Sequence, residues 1–547
     1  MSKKNLIVLI PILMMGAAVV GVFFGHQAAK VGARGLGSFT SSPQTFMHGN
    51  NTKLSTIVEL IEQQYVDHVD VDSITELVIP ELLKHLDPHT IYIPARNLAQ
   101  VNNELKSNFG GIGVQFTIRE DTVNIVSVIS GGPASKLGVL PGDKIIKVNG
   151  NDFVGKKISN EVVMDSLRGE FGSKVNVTLL RNKDEQINID IIRGVIPMYS
   201  VDVSYMLNDS IGYIRIDRFA EKTYEEMMTG VAKLRSQGCK KLVVDLRGNS
   251  GGLLDVVIKM CNEFLPSNAL IVYTEGAHQM REDTRANGLG TCQDLGVVVL
   301  IDEYSASASE IFAGAMQDND RGIIIGRRSF GKGLVQTQME LFDQSALRLT
   351  IARYHTPSGR CIQRPYDEGT ESYYEDTYKR YSSGELFNAD SVKVDENQSF
   401  TTKGGRTVFG GGGIIPDIFV PRDTTMASNY LIALRSKNII YNFSLDYADK
   451  HRNDNIGKMN NDQLIKFLKH ANLMGEIEAY AAKKGIKRTK AVKPDEERYI
   501  LTEARALIGR NLRDNDVFYP ILNETDDVVE KALEIINKRV SVMDAHQ

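Results

Sequence analysis

Cysteine is scarce in this chain, which has only four among 547 residues. The four are Cys239, Cys261, Cys292 and Cys361. Their wide spacing fits neither a dense disulfide framework nor a CxxC metal site, so we expect small buried thiols. None of the 10 histidines lies in an HExxH pattern, and no Walker or dinucleotide-binding motif precedes a helix. The sequence therefore predicts no metal and no cofactor.

A long basic run is also absent. The 64 Lys and Arg against 68 Asp and Glu give a formal net charge of −4, which is spread along the sequence. This pattern lacks the electrostatic footprint of a nucleic-acid-binding protein. Apolar residues make up 42% and charged residues 24%, so a largely disordered chain is excluded. At ~150 residues per domain, the length predicts three or four domains.

The N-terminal sequence predicts on which side of the cell membrane the rest of the chain lies. Lys3 and Lys4 precede the uncharged stretch Asn5–Gly25. About 20 apolar residues are needed to cross a bilayer, whereas the apolar core of a signal peptide usually has about 7–15. Positive residues stay on the cytoplasmic side, so the chain after His26 is expected to be exported. We interpret residues 1–26 as a membrane anchor or signal segment, with a long cleaved signal peptide as the alternative, and residues 27–50 as a linker.

Hydrophobic patterns divide the rest of the chain into four regions. These are a helical N-terminal region (51–107), a β-rich region (108–195), a region of alternating strands and helices (196–425) and a helical C-terminal region (426–547). The alternation of strands and helices predicts an α/β layer fold. Within it, residues 366–405 are polar and rich in Tyr, Asp and Glu, so we expect an exposed insertion there.

A glycine-rich turn opens the β-rich region. Gly110–Val114 leads directly into an alternating apolar run. Glycines let successive N–H groups point at one spot, where they can bind a carboxylate, and an exposed strand edge beside them can accept an extended peptide. The alternative is that the glycines merely turn the chain. With Gly132–Val139, Pro141–Gly150 and a helix near Asn160–Arg168 following in order, the region resembles a PDZ domain of the bacterial protease type.

By this resemblance the module binds the C-terminal carboxylate of a client protein. The residues implied in peptide binding are Gly111, Ile112, Gly113 and Val114.

Two segments of the α/β region combine strand–helix junctions with glycine or serine. Asp245–Gly252 follows a buried-looking strand, and its glycines can aim N–H groups at an anion or oxyanion, although a plain tight turn has the same pattern. Ser305–Glu310 precedes an amphipathic helix, whose N-terminus would stabilise negative charge near a nucleophilic serine. This is not the GxSxG elbow of the α/β-hydrolases. Helix capping by one of the serines is the alternative for Ser305 or Ser309.

Lys332 lies between two glycines, with Phe330 before it and Leu334 after it. An enclosed lysine has a lowered pKa, from ~10.4 toward roughly 7–8, and its neutral amine can take a proton from a serine hydroxyl. Gln336 would share one strand face with Lys332 and could orient its amine. A flexible surface charge is the alternative for this lysine.

Together these segments resemble the carboxy-terminal processing proteases, which include the tail-specific proteases of bacteria. The match spans residues 53–420 and includes four further elements in the right order. They are the PDZ motifs, Leu86–Thr90, Ala352–Arg360 and Gly413–Asp417. The resemblance implies a multidomain α/β fold: a crotonase/Clp-like α/β protease core, an inserted β-rich PDZ domain, and helical N- and C-terminal regions.

The resemblance also implies a role for each matched site residue. Ser307 is the nucleophile, Lys332 the general base and Gln336 its supporting residue. The oxyanion hole would use backbone N–H groups of Ala308 and of Gly251 or Gly252. Ser250 and His355 depart from the family pattern.

The implied function is an exported serine endopeptidase that hydrolyses amides with a Ser–Lys dyad and recognises C-terminal tails of its substrates. The implied place is the bacterial cell envelope, with the catalytic part anchored in the periplasm or secreted. A homo-oligomer or an adaptor is left open.

Three alternatives differ in chemistry. One is a hydrolase in which His355 serves as base for a serine. Another is a non-catalytic PDZ scaffold on a degenerate protease fold, which would be expected to lack Ser307 or Lys332. A β-lactamase-like enzyme is disfavoured, since no SxxK lies at the start of a helix.

Overall fold

The computed structural model describes residues 53–129, 131–155, 157–181, 184–423, 428–488 and 493–538. The expected anchor (1–26) and linker (27–50) lie outside the described residues. The chain divides into two compact units, 1–75 and 76–547. Across the described ranges, no helix has both the length and the apolar character needed to span a bilayer.

The N-terminal region is helical with one added strand. Helix α1 (Lys53–Gln64) lies in the small unit, and none of its described side chains is buried. Helix α2 (Val71–Leu83), strand β1 (Ile91–Ile93) and helix α3 (Ala95–Leu105) follow. Before β1, the Asp87 carboxylate accepts the backbone N–H of both His89 and Thr90, at 2.8 and 2.9 Å, and fixes a tight turn.

The β-rich region forms a closed module. Its ends meet where β2 (Asn108–Gly111) pairs antiparallel with β9 (Gly194–Pro197). The members of its sheet, in spatial order, are β3 (Val114–Arg119), β4 (Thr122–Val128), β5 (Lys144–Val148), β7 (Lys174–Arg181) and β8 (Glu185–Ile192), with β6 (Asn151–Asp152) on β5. Helices α4 (Pro133–Lys136) and α5 (Asn160–Leu167) complete the module. Strand β3 is one edge of this sheet, and an edge strand is a place where a peptide could be added.

The central sheet of the α/β region has six strands. In spatial order they are β10 (Val201–Met206), β11 (Ile211–Ile216), β12 (Lys241–Asp245), β15 (Gly296–Ile301), β16 (Ile323–Gly326) and β21 (Ile418–Phe419). All pairs are parallel except β10 with β11. Helices α6 (Thr223–Ser236), α7 (Leu254–Phe264) and α8 (Ala308–Asp318) share one apolar core with Leu242 and Val244 of β12. Val243 belongs to the core on the other face, as alternation along a strand requires.

A second sheet carries the predicted lysine segment. Its strands are β1, β18 (Ala346–His355), β13 (Leu270–Gly276) and β14 (Gln279–Arg285) in this order, with β17 (Leu334–Glu340) paired to β18. Gln336 lies on β17, whereas Lys332 precedes the strand. The predicted strand therefore begins two residues later than its alternation suggested.

The polar segment 366–405 is not simply an exposed insertion, which corrects that expectation. It contains helices α9 (Thr370–Tyr374) and α10 (Asp376–Ser382) and strand β19 (Ser399–Thr401), which pairs with β20 (Thr407–Phe409). Tyr373, Arg380 and Leu386 are buried. The Arg380 guanidinium donates to the carbonyl of Ser329 at 3.0 Å. The segment is thus anchored on the loop that leads to Lys332.

The C-terminal region is helical, as expected. Its helices are α11 (Asn429–Ser436), α12 (Ile439–His451), α13 (Asn461–His470), α14 (Met474–Lys483), α15 (Pro494–Leu512), α16 (Asn515–Leu522) and α17 (Asp527–Asn537). Leu464 and Leu468 pack within the helical core, whereas Val529 and Ile536 pack against the central sheet. The apolar faces of α13 and α17 therefore pack within the chain itself.

Candidate active site

Ser307 occupies a strained junction between β15 and α8. Its φ is +54°, a left-handed value that a non-glycine residue adopts only when its surroundings impose it. Two contacts hold this backbone. The Ser307 N–H donates to Glu310 at 2.8 Å, and its carbonyl oxygen lies 3.1 Å from the Tyr354 hydroxyl. The same hydroxyl donates to the carbonyl of Lys332, so Tyr354 bridges the two segments.

The three serines of this junction have different roles. The Ser305 hydroxyl donates to the Leu246 carbonyl and the Ser309 hydroxyl to the Asn249 carbonyl, each at 2.9 Å, and both residues are completely buried. These two side chains therefore tie the Asp245–Gly252 loop to the start of α8. Ser307 is the half-exposed member of the three, as an attacking hydroxyl must be.

Lys332 is largely enclosed. Burial lowers the pKa of its amine, and the nearby positive charge of Arg348 lowers this pKa further, against the attraction of Glu310. Its Nζ donates to Oε1 of Gln336 at 3.1 Å. The Gln336 amide in turn donates to the carbonyl of His89, which fixes the orientation of the glutamine.

Glu310 connects the serine and lysine segments. Its carboxylate accepts the backbone N–H of Ser307, Gly331 and Lys332 at 2.8, 2.7 and 2.9 Å, and also the Ser329 hydroxyl. Complete burial raises the pKa of Glu310 to about 7, against the lowering effect of these hydrogen bonds. Sequence analysis identified Glu310 only as the last residue of the serine-rich segment before the helix.

The Asp245–Gly252 loop lies directly against Ser307. A Cβ on Gly251, whose φ is +105°, would come within 2.7 Å of the Ser307 Cβ. The Gly251 N–H donates to Asn249 Oδ1 at 2.8 Å and is therefore occupied. Within the described residues, the N–H groups of Gly252 and Ala308 have no hydrogen-bond acceptor in the chain. Of the two glycines considered for an oxyanion hole, the geometry thus favours Gly252.

His89 belongs to this site, although the sequence indicated it only as part of a motif. Its ring nitrogen Nε2 lies 2.9 Å from the Tyr373 hydroxyl. Burial, followed by the charge of Lys332, lowers the pKa of His89 to about 4, so its ring is neutral near pH 7. Its carbonyl holds Gln336, the residue that accepts from the Lys332 amine.

His355 does not join the serines. Its ring stacks on that of Tyr273 with a centroid separation of 4.6 Å, and its Nδ1 lies 3.2 Å from the Gly359 carbonyl oxygen. No group of three His, Cys, Asp or Glu side chains suited to a metal ion occurs among the described residues. Cys239, Cys261 and Cys292 are free and buried, and Cys361 is free and half-buried.

The expected peptide-binding turn of the β-rich module lies at the start of edge strand β3. Ile112 is buried, and Gly113 has a φ of +82°. The Ile112 carbonyl accepts the Ala134 N–H and the Gly113 carbonyl accepts the Ile129 N–H, each at 2.9 Å. Both carbonyls are therefore hydrogen-bonded within the module, and the bond from Ala134 holds the turn against helix α4.

Comparison with known proteins shows which families the segments of this chain match. Residues 110–191 match the PDZ domain, residues 210–372 match peptidase family S41, and residues 430–514 match a family of unknown function. A carboxy-terminal-processing protease of Bartonella bacilliformis is 38% identical over 353 residues, which cover 63% of this chain and 79% of that protein. The chain belongs to the carboxy-terminal-processing protease family.

Two further relatives of this carboxy-terminal-processing protease have lower sequence identity to it. A probable CtpA-like serine protease of Staphylococcus aureus is 34% identical over 315 residues, covering 57% of this chain and 62% of that protein. A solved photosystem II D1 C-terminal processing protease is 27% identical, with a TM-score of 0.33, and the match covers 56% of this chain and 89% of the other.

The family resemblance and the expected fold class are confirmed. The carboxy-terminal-processing protease is a serine-type peptidase of mixed α/β fold, with a PDZ domain, an S41 core and a helical C-terminal region.

Proposed function

We propose that this protease hydrolyses peptide bonds with a Ser307–Lys332 dyad and selects its substrates by their C-terminal tails. The observation that carries the dyad is the single carboxylate of Glu310, which accepts the backbone N–H of both residues. Two segments distant in sequence are thereby joined in one site. The hydroxyls of the other two serines, Ser305 and Ser309, already donate hydrogen bonds to carbonyls of the Asp245–Gly252 loop.

The enclosed Lys332 supplies the base. Its lowered pKa favours a neutral amine, which takes the Ser307 proton as the hydroxyl oxygen attacks the scissile carbonyl. Gln336 holds the amine through its Oε1. The protonated lysine then gives its proton to the leaving amine, and water hydrolyses the acyl-enzyme with Lys332 again as base.

Backbone N–H groups of Ala308 and Gly252 would hold the oxyanion. Ala308 follows Ser307 at the start of α8, and Gly252 follows Gly251, the residue of the glycine loop that lies against Ser307. Donors fixed at the position where charge develops are worth ~3–4 kcal/mol each in such sites. The N-terminus of α8 adds its positive dipole end at the same point.

The dyad is tested with the soluble chain from residue 50 onward and an unfolded test protein with an apolar C-terminus. We expect Ser307→Ala and Lys332→Met to lose at least about 10⁴-fold in kcat. Lys259→Ala, a change at an exposed lysine of α7, serves as control and should keep wild-type activity. Cleavage by Ser307→Ala would refute the nucleophile. Activity in Lys332→Met that depended on His355 would favour the Ser–His alternative.

Tail recognition is proposed for the PDZ domain. Its edge strand β3 can take an added peptide strand, and the Gly111–Val114 turn lies at the end where a carboxylate would be bound. We expect amidation of the substrate's C-terminus to raise KM about tenfold or more while leaving kcat nearly unchanged. Equal KM values for the free acid and the amide would refute carboxylate recognition. If the wild type were as inactive as the variants, the non-catalytic scaffold alternative would be favoured.

We also propose that the protease works outside the cytoplasm, held to the membrane by residues 1–26 or released after their cleavage. The supporting pattern is a pair of lysines followed by an uncharged stretch of membrane-spanning length. Fusion of alkaline phosphatase after residue 50 tests this, because the enzyme is active only when exported. Inactive fusions would refute export.

A further inference from the structure

The last described helix, α17, packs on the protease core. Its Val529 and Ile536 share an apolar core with Val243 of the central sheet. The Nζ of Lys241, at the start of β12, donates to the Ile536 carbonyl at 2.6 Å. The helix lies outside residues 210–372, which match the peptidase family, yet it covers one face of the catalytic sheet.

Asp526 precedes this helix and has two functions at once. Its Oδ1 accepts the N–H of Val528 and Val529 at 3.0 and 3.1 Å, which caps α17. Both of its carboxylate oxygens also lie 2.9 Å from Nη1 of Arg247. The helix cap is therefore also an ion pair with the loop after β12.

Arg247 is held on its other side by its own loop. Its Nε and Nη2 donate to the fully buried Asp245, at 2.9 and 2.6 Å. Arg215 completes the arrangement, since it donates to Asp245 at 3.2 Å and to the Arg247 carbonyl at 3.0 Å. The guanidinium of Arg247 thus binds two carboxylates, that of Asp245 in its own loop and that of Asp526 before α17.

The loop of Arg247 is the one that lies against the serine. Two residues after Arg247, the Asn249 carbonyl accepts the Ala306 N–H at 3.0 Å. Gly251 then contacts Ser307, and Gly252, the proposed oxyanion donor, follows it. A shift of the loop would therefore move an oxyanion donor relative to Ser307, and displacements of about 1 Å can cost on the order of 10²-fold in rate.

We propose that Asp526 is a positioning residue for peptide hydrolysis, which holds the oxyanion loop in place through Arg247. On this view, α17 and its cap are part of the catalytic core. The proposal rests on the proposed function of Ser307 and Lys332. It predicts that weakening the Asp526–Arg247 pair lowers kcat without disturbing either substrate binding or the base.

The test compares Asp526→Asn with Asp514→Asn in the full-length protein. Asn caps helices well, so both variants keep a helix cap, but only the first loses the ion pair with Arg247. We expect kcat to fall about tenfold or more in Asp526→Asn, with KM within about twofold and the acid limb of the pH–kcat/KM profile unmoved, since the surroundings of Lys332 are unchanged. Asp514→Asn should keep the wild-type kcat.

Combination with Arg247→Gln supplies the second readout. If Asp526 acts through Arg247, Asp526→Asn should cost less than about twofold more in that background. Three results would overturn the proposal. Asp526→Asn could keep the wild-type kcat, Asp526→Asn and Asp514→Asn could lose kcat equally, or the losses of Asp526→Asn and Arg247→Gln could multiply in the double variant. If circular dichroism shows that Asp526→Asn does not fold, Asp526→Ser takes its place, because serine caps a helix without an ion pair. Failure of the proposed dyad is separate and would appear as activity in Ser307→Ala.

Discussion

Oε2 of Glu310 lies 2.9 Å from the backbone nitrogen of Lys332, 22 residues further along the chain. The same oxygen lies 2.8 Å from the backbone nitrogen of Ser307. A completely buried carboxylate thus joins the segment of Ser307, the proposed nucleophile, to that of Lys332, the proposed base. Its position three residues into α8 lets one side chain both close the helix N-terminus and receive the lysine loop.

Replacing this carboxylate by an amide tests its role. In Glu310→Gln one acceptor oxygen remains, and the amide NH₂ would face N–H donors of the lysine loop. We expect kcat to fall about tenfold or more, because misplacement of the two segments weakens proton transfer. Glu263→Gln is the control: this buried glutamate binds Tyr224 and Thr291 instead, and its loss should lower the unfolding temperature but spare kcat. Wild-type kcat in Glu310→Gln would contradict the role.

The same carboxyl predicts opposite effects of pH on stability and activity. Burial raises the pKa of Glu310 to about 7 from an ordinary 4.5, so the folded protein keeps this proton where the unfolded chain loses it. The contribution to the free energy of unfolding is therefore full below about pH 4.5, falls as pH rises to about 7, and is constant above. Activity should instead rise in a step near pH 7, as the carboxylate forms its four hydrogen bonds, in addition to the acid limb that the titration of Lys332 sets. Glu310→Gln should remove both steps, which kcat/KM profiles and urea titrations would measure.

A charge placed beside Lys332 should shift its titration. Gln336→Glu puts a carboxylate where the amide oxygen now accepts from the Lys332 amine at 3.1 Å. An adjacent opposite charge favours the protonated lysine, so the acid limb of the kcat/KM profile should move up by about one pH unit or more. Gln336→Met is the matched variant: it should lower kcat with much less movement of the limb. An unmoved limb in Gln336→Glu would mean that another group is the base.

The close contact between Gly251 and Ser307 leaves no room for a side chain at position 251, which substitution can test. In Gly251→Ala the new methyl would lie 2.7 Å from the Ser307 Cβ and 2.8 Å from the Ala306 carbonyl oxygen, so the loop or the serine must move. Gly248 has a similar left-handed φ of +75°, but a methyl there would approach nothing closer than 3.8 Å. Both substitutions cost about 1–2 kcal/mol of backbone strain. Only Gly251→Ala should abolish cleavage, and equal activity in the two variants would disprove the close contact as a constraint.

Motifs in the sequence could indicate these chemical segments because each is short and continuous. A glycine loop, a serine at a helix start and a lysine between glycines all follow from local geometry. The partners that arrange them could not be predicted in this way. The carbonyl of His89 holds Gln336 across 247 residues, and Asp526 reaches Arg247 across 279 residues. Such contacts depend on how the layers pack, and side-chain periodicity carries no information on that.

The misjudged insertion has the same physical explanation. Its composition is that of an exposed loop, and most of its charges do face water. Yet Tyr373 is buried, with the guanidinium of Arg364 between its ring and that of Phe330, 3.9 Å from each centroid. Aromatic rings can bury their area and still bind a cation, so polarity averaged over forty residues conceals a few anchoring side chains. The fold class itself was predictable because it follows from the order of strands and helices.

The far end of α8 offers a prediction about stability. Arg360 and Asp318 are both completely buried and lie 2.7 Å apart, and Arg360 also donates to Gln317. In Arg360→Met the Asp318 carboxylate would remain buried without its counter-charge, which costs about 3–5 kcal/mol.

The exposed pair of Arg281 with Asp283 provides the control, because such surface pairs are worth about 0–1 kcal/mol. Urea titration of the soluble chain should therefore show a large drop in midpoint for Arg360→Met and almost none for Arg281→Met. Similar midpoints in the two variants would mean that water reaches Asp318. Since α8 begins directly after Ser307, the proposed nucleophile, loss of this pair should also make cleavage activity more sensitive to heat.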